Sequence, residues 1–369
     1  MTLPPPPADA DAHRGSPDAS PRGVPPAFDA WIRSNPWHPR IAPFFCWIIF
    51  MTLGAFLPEP LTPLQPLLYL AQCVATVWLL WVYRRLLPEL TLRFHWLAIP
   101  TGVLLLVAWV VLGYAMTGEL GWRSQQLADG QWRAAVGEYP YALRGELPNR
   151  FGPELDAAGQ PVDHPIRELI RQSPALGWTW MILRLLGMSL IVPLFEELFI
   201  RSAMLRGLQR PGPTLAGLLQ FATDLPGLGD RLAQTDAGRR VNAQPPRLTQ
   251  QLESTAVGRI CFFGVAASTL VFMLSHGLRD WPGCIACGLV WCGLIWWTNR
   301  PRRGRSLGGG EQETWQTVRI HPNLTPPPLP NDSAHNRGRL GLGPVAWSHG
   351  LTNALLWGYT LLGGDWRFL

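Results

Sequence analysis

Apolar residues in this chain fall in blocks rather than in the scattered pattern of a soluble core. The blocks cover 41–57, 67–83, 96–116, 177–205, 260–278, 281–297 and 345–362, each near the roughly 20 residues that carry a helix across a bilayer. They predict an all-α, polytopic transmembrane helical bundle of about seven to eight spans. The count turns on the fourth block, which Arg184 and Pro193 interrupt, so that it reads either as one tilted helix or as a broken pair. The spacing of the blocks sets the expected organisation. Residues 1–40 form a disordered cytoplasmic tail and 41–116 three transmembrane helices, followed by an external loop at 117–174. Residues 175–362 form a core carrying cytoplasmic insertions at about 209–258 and 299–343, and 363–369 a C-terminal tail.

Composition sharpens this reading. Only 15% of residues are charged and 19 are Trp, against about 25% charged residues in an ordinary globular protein. All 31 basic residues are Arg and none is Lys, a bias of the kind GC-rich bacterial genomes produce. Without Lys there is no P-loop lysine, Schiff base or Ser–Lys dyad. The net charge of +6 does not point to nucleic acid, because the Arg flank the apolar blocks. Arg33 and Arg40 precede the first; Arg84, Arg85 and Arg93 follow the second; Arg206 and Arg210 follow the fourth; Arg300, Arg302, Arg303 and Arg305 follow the sixth. In a seven-span chain all four groups share one side, so the positive-inside rule predicts a multi-pass protein of the cell (inner) membrane, N-terminus cytoplasmic and C-terminus external. The six Cys lie within apolar blocks, where they read as helix-packing residues rather than a disulfide framework.

Three blocks contain groups that are costly in lipid, about 2.5 to 3.5 kcal/mol each at mid-membrane. They read PLFEELFIRSAML from Pro193, STLVFMLSHGL from Ser268 and VAWSHGLTNALLW from Val345. Glu197 and Arg201 are four apart and share a helix face, as an internal ion pair would require, while Glu196 points about 100° away. His349 and Asn353 share a face by the same spacing, as do Phe272 and His276. Each motif has an ordinary structural account, as headgroup-level carboxylates or helix–helix hydrogen bonders. Together they supply a carboxylate, two imidazoles and an amide. That set can activate water for attack on a carbonyl without a covalent intermediate. Glu196 is the expected general base, His276 helps hold the water, and His349 and Asn353 donate to the oxyanion, with Glu197, Arg201 and Phe272 in support.

At these residues the chain resembles the CPBP (Abi) family of glutamic intramembrane proteases, typified by type II CAAX prenyl endopeptidases and bacteriocin-immunity membrane proteins. Its pattern is E-E-x-x-x-R, F-x-x-x-H and H-x-x-x-N/D on separate helices. Here it stands as Glu196-Glu197-x-x-x-Arg201, Phe272-x-x-x-His276 and His349-x-x-x-Asn353, in that order. The resemblance covers about 173–362 and implies an intramembrane endopeptidase acting on a membrane-embedded or membrane-proximal peptide. The ending HGLTNALLWGYTLLGGDWRF is similar to the CAAX prenyl protease-related bacterial branch, which would make an exosortase-type sorting system a partner. No cofactor is expected, although two imidazoles and a carboxylate are also a zinc-competent set. A non-catalytic scaffold or immunity protein and a transporter are the alternatives. Two further matches are set aside. Gly304 to Gly308 fits G-x-S-x-G without the strand and helix that pattern needs, and Gly227-Leu-Gly229-Asp230 fits G-x-G-D without a partner Asp in a span.

Overall fold

The computed structural model describes residues 23–57, 64–117, 165–223, 225, 227–244, 247–277, 280–300 and 340–363. Residues 1–22 of the predicted N-terminal tail, 118–164 of the predicted external loop, 301–339 of the second predicted insertion with the Gly304–Gly308 match, and 364–369 of the predicted C-terminal tail lie outside them. Among the described residues every regular element is a helix and no strand occurs. In chain order these are α1 (Pro26–Ser34), α2 (His38–Ala55), α3 (Gln65–Val82), α4 (Ala98–Thr117), α5 (Pro165–Gln172), α6 (Pro174–Gly207), α7 (Pro211–Thr223), α8 (Leu228–Ala233), α9 (Asp236–Asn242), α10 (Arg247–Ser254), α11 (Phe262–Leu274), α12 (Trp281–Asn299) and α13 (Gly343–Gly363).

All seven apolar blocks are therefore helical, but the count of spans is corrected. Among the described residues, three helices are long and apolar enough to cross a membrane: α3, α6 and α12. Ala98–Gly113 of α4 and Phe262–Leu274 of α11 count as shorter apolar helices, and the other reasons are local. Helix α2 opens on His38, Pro39 and Arg40, all buried within the protein. Helix α13 has the length, at 21 residues, but Ser348, His349, Thr352 and Asn353 lower its apolar character. Helix α11 stops at Leu274, short of the predicted 278, because the chain turns there. The amides of Ser275 and His276 donate to Phe272 and Met273, and the Ser275 hydroxyl also donates to Phe272, so side chains serve the last carbonyls that the helix leaves open.

The fourth block is one helix of 34 residues, not two. It stays continuous through Pro193 by widening twice, at Gly187–Ile191 and at Leu198–Met204. In these wide turns the Val192 amide donates to Gly187 and the Leu205 amide to Ile200, five residues back rather than four. The two wide turns flank Val192–Glu197. Pro193 has no N–H to give to Ser189 or Met188, its partners at four and five residues' distance. Helix α13 packs against this stretch and against α4. Both contacts need glycine: a Cβ at Gly350 would lie 2.4 Å from the Ser189 carbonyl oxygen, and one at Gly102 would lie 2.9 Å from that of Ser348.

The insertion after α6 is also helical where described. Helices α7 to α10 pack on one another and against the start of the bundle. The Trp37 and Phe221 rings lie 5.9 Å apart, and the Thr249 hydroxyl donates to Asn35 at 3.1 Å. Gly227 to Asp230 begins α8 within this cap.

A buried polar knot ties the cap to the bundle. Glu89, in the link between α3 and α4, accepts from Arg40 Nε at 2.7 Å and Nη2 at 3.1 Å, and from the Ser202 hydroxyl. Arg206 donates to Glu89 at 3.5 Å, to Ser202 at 3.0 Å and to the carbonyls of Thr255 and Leu252. Burial would push the Glu89 carboxyl up, but the two guanidiniums and the hydrogen bonds outweigh it and hold it below its ordinary range. The same end of the bundle joins α12 to α13, through Asn299 and Gly341, and the Leu342 amide donates to the Glu89 carbonyl.

A candidate hydrolytic site among α6, α11, α12 and α13

His349 is the hub of the site. Its Nδ1 lies 2.9 Å from Glu197 Oε1, and its Nε2 lies 3.7 Å from Glu196 Oε2. In the tautomer that lets the short contact be a hydrogen bond to a carboxylate, the hydrogen sits on Nδ1 and Nε2 faces Glu196. The longer contact exceeds a hydrogen bond, yet a single oxygen atom placed between could touch both groups. The two carboxylates differ in access: the Glu196 side chain is 15% exposed and that of Glu197 1%.

Helical spacing predicts that neighbours such as Glu196 and Glu197 diverge. Here both address one imidazole, approaching it from two sides. Both lie at the end of the regular segment Val192–Glu197, and α13 meets that segment directly.

Arg201 completes the predicted pair with Glu197, Nε to Oε2 at 3.6 Å. Its guanidinium lies 5.5 Å from the Phe272 ring and 5.6 Å from the Trp291 ring, both within cation–π range. None of its three nitrogens, nor Glu197 Oε2, has a hydrogen-bond partner.

Asn353 and His276 are both held by backbone carbonyls. Asn353 Nδ2 donates to the Met188 carbonyl at 2.8 Å, one of the two carbonyls Pro193 cannot serve, so one of its two amide hydrogens is committed to the α6 backbone. His276 lies beyond the end of α11, its Nδ1 2.9 Å from the Phe272 carbonyl and 3.0 Å from the Ser275 hydroxyl. Its ring meets Phe272 edge-on at 4.6 Å and Trp109 at 5.7 Å. Phe272 in turn faces His349 at 6.5 Å. The structure thus gathers all seven predicted residues around α6, α11 and α13. The imidazole 3.7 Å from Glu196 is that of His349, while the His276 ring packs on Phe272, whose ring also lies 6.5 Å from His349.

One residue was missed. Trp291, on α12, stacks on the His349 ring at 4.3 Å and 29°, and its Nε1–H donates to the Ser348 hydroxyl at 3.1 Å. Nothing in the sequence marks it among 19 Trp, since its block carries no charge. Among the described residues, no group of three or more His, Cys, Asp or Glu side chains is arranged to hold a metal ion. Comparison of the chain with protein-family models, with curated proteins and with solved structures finds no match in any of the three.

Proposed function

We propose that this protein is a CAAX-protease-like intramembrane endopeptidase that hydrolyses a peptide bond in a membrane-embedded or membrane-proximal substrate with a water held between Glu196 and His349. The observation that carries this reading is the pair of contacts on one imidazole: Glu197 at 2.9 Å on Nδ1 and Glu196 at 3.7 Å from Nε2. With Nδ1 protonated, a neutral His349 offers a lone pair at Nε2, and Glu196 offers a second acceptor beside it. Two adjacent acceptors take the two hydrogens of one water and leave its oxygen lone pairs directed outward, at a substrate carbonyl. As the C–O bond forms, Glu196 takes a proton from the attacking water and the carbonyl electron pair moves to oxygen. Collapse of that intermediate expels the amine, which leaves with the proton.

His349 in this scheme takes the water-holding part that the spacing alone assigned to His276. Glu197 orients the ring, as a carboxylate behind a working histidine does. Arg201 balances Glu197 and lies against the aromatic wall. Asn353 keeps one amide hydrogen for an oxyanion while the other holds α6.

The membrane setting rests on α3, α6 and α12 and on the exposed apolar side chains of α2, α3 and α4, such as Phe45, Val74, Trp81 and Val107. A cytoplasmic N-terminus is supported by the shared end at which Arg40 and Arg206 meet Glu89. Nearby helix ends carry Arg84 over Trp81 at 4.0 Å and Arg300 over Trp297 at 3.6 Å, the pairing expected at a lipid headgroup boundary.

The test is cleavage by the purified full chain in lipid nanodiscs, using a library of internally quenched peptides bearing an acyl anchor, with the reaction run in ¹⁸O-water. The expected result is a new carboxyl terminus carrying solvent oxygen, produced by wild type and not by Glu196→Gln. No cleavage by wild type, or equal cleavage by Glu196→Gln, overturns the proposal.

A further inference from the structure

Trp291 lies against three members of the site, His349, Arg201 and Phe272, and carries no titratable group. It lies on α12 one turn beyond Cys287 and Gly288, is 1% exposed, and is the largest fully buried side chain of the described residues. Its ring meets Phe272 edge-on at 6.0 Å and makes three further contacts. One face lies on His349 at 4.3 Å and 29°. The indole N–H reaches the Ser348 hydroxyl, on the residue next to His349, at 3.1 Å. The Arg201 guanidinium, 5.6 Å from the ring, is the group that faces Glu197 from the other direction.

These contacts bear on one problem. An imidazole can hold Glu197 at Nδ1 and face Glu196 with Nε2 only in one orientation of its plane, and the Glu197 hydrogen bond by itself leaves that plane free to tilt about the bond. A second flat ring stacked on it at 29° removes the tilt. The hydrogen bond to Ser348 anchors the indole to the same helix that carries the histidine, so plate and imidazole keep register with each other.

Resting on the hydrolytic reading of this site, we infer that Trp291 is a positioning residue that holds the His349 ring in the plane joining Glu197 to Glu196. It acts through His349 and touches neither water nor substrate. It does more than fill space, because a filler would need volume but neither a flat face nor a donor aimed at Ser348.

The experiment uses the full chain in nanodiscs, labelled with ¹⁵N-histidine, as wild type, Trp291→Leu, Trp291→Phe and Ser348→Ala. The His349 signals are identified by their loss in His349→Gln. Trp291→Leu is expected to lower kcat about ten- to a hundredfold with KM changed by less than about twofold, as a displaced catalytic group does. Its His349 signals should change from a single Nδ1–H tautomer to a mixture. Trp291→Phe restores the flat face and should recover most of kcat, and Ser348→Ala, which removes only the anchor, should give a smaller loss of the same kind. An unchanged His349 signal in Trp291→Leu, or a Phe variant no better than Leu, overturns the inference. If Trp291→Leu does not fold, Ser348→Ala with Trp291→Phe decides by the same two readouts. If wild type cleaves no peptide, the hydrolytic reading falls separately, and the ¹⁵N pattern alone supports or overturns the positioning role.

Discussion

Two buried charge clusters lie a turn apart on α6, and they are built in opposite ways. Around Glu89, both carboxylate oxygens are used, and the described nitrogens of Arg40 and Arg206 reach Glu89, Ser202 or a backbone carbonyl. Around His349, by contrast, Arg201 and one Glu197 oxygen face each other at 3.6 Å without a hydrogen bond to either, and Glu196 stands 3.7 Å from its imidazole. A fully connected buried network fixes structure, whereas unpaired buried groups cost free energy and persist where something else benefits from them. We read the first cluster as a latch between bundle and cap and the second as a site kept open to chemistry.

The comparison breaks most visibly if the two carboxylates are exchanged for amides. Glu196→Gln should cost about 10²- to 10⁴-fold in turnover, the usual worth of a general base, while melting within a few degrees of wild type. Glu89→Gln should do the reverse. Leaving Arg40 and Arg206 without their charge partner is expected to cost on the order of 3 to 5 kcal/mol of stability, read as a lowered thermal midpoint in detergent. If both variants lose only activity, or both only stability, the two clusters are one device and the distinction fails.

Asn353→Ala comes next in size. It strands the Met188 carbonyl beside Pro193, and a buried acceptor without a donor costs roughly 1 to 3 kcal/mol. Asn353→Asp cannot donate and should behave like Ala, whereas an oxyanion role alone would leave the midpoint untouched.

Acid titration gives the smallest and most graded effect. The folded Glu89 carboxyl is held below its ordinary range, so it binds a proton less readily than in the unfolded chain, where its pKa is about 4.3. The stability it contributes is therefore present above about pH 4.3 and is lost as pH falls through its lower folded value. Wild type should lose thermal stability in that acid window more steeply than Glu89→Gln, and parallel curves would contradict the latch.

Much of this was legible in the sequence, for reasons that particular residues make plain. Every apolar block became a helix, because composition over some 20 residues decides that much. Glu197 with Arg201 was readable as a pair because four-residue spacing is a property of the helix itself. Spans were overcounted because block length ignores the polar groups that α13 and α2 bury among their neighbours. The joint approach of Glu196 and Glu197 to His349 was hidden, since it depends on α13, whose His349 lies 152 residues beyond Glu197 along the chain and which packs on that segment. Glu89 gave no signal: Arg40 lies 49 residues away and Arg206 117, and no local periodicity connects them. Trp291 was one aromatic among many until its ring was seen on the histidine.

The central claim is that Glu196 and His349 act on one oxygen atom, and the direct test is a double-mutant cycle on peptide cleavage with Glu196→Gln, His349→Gln and the pair combined. Two groups holding the same water should give a combined variant no slower than the slower single, as parts of one unit do. Losses that multiply would show two independent roles and contradict the account.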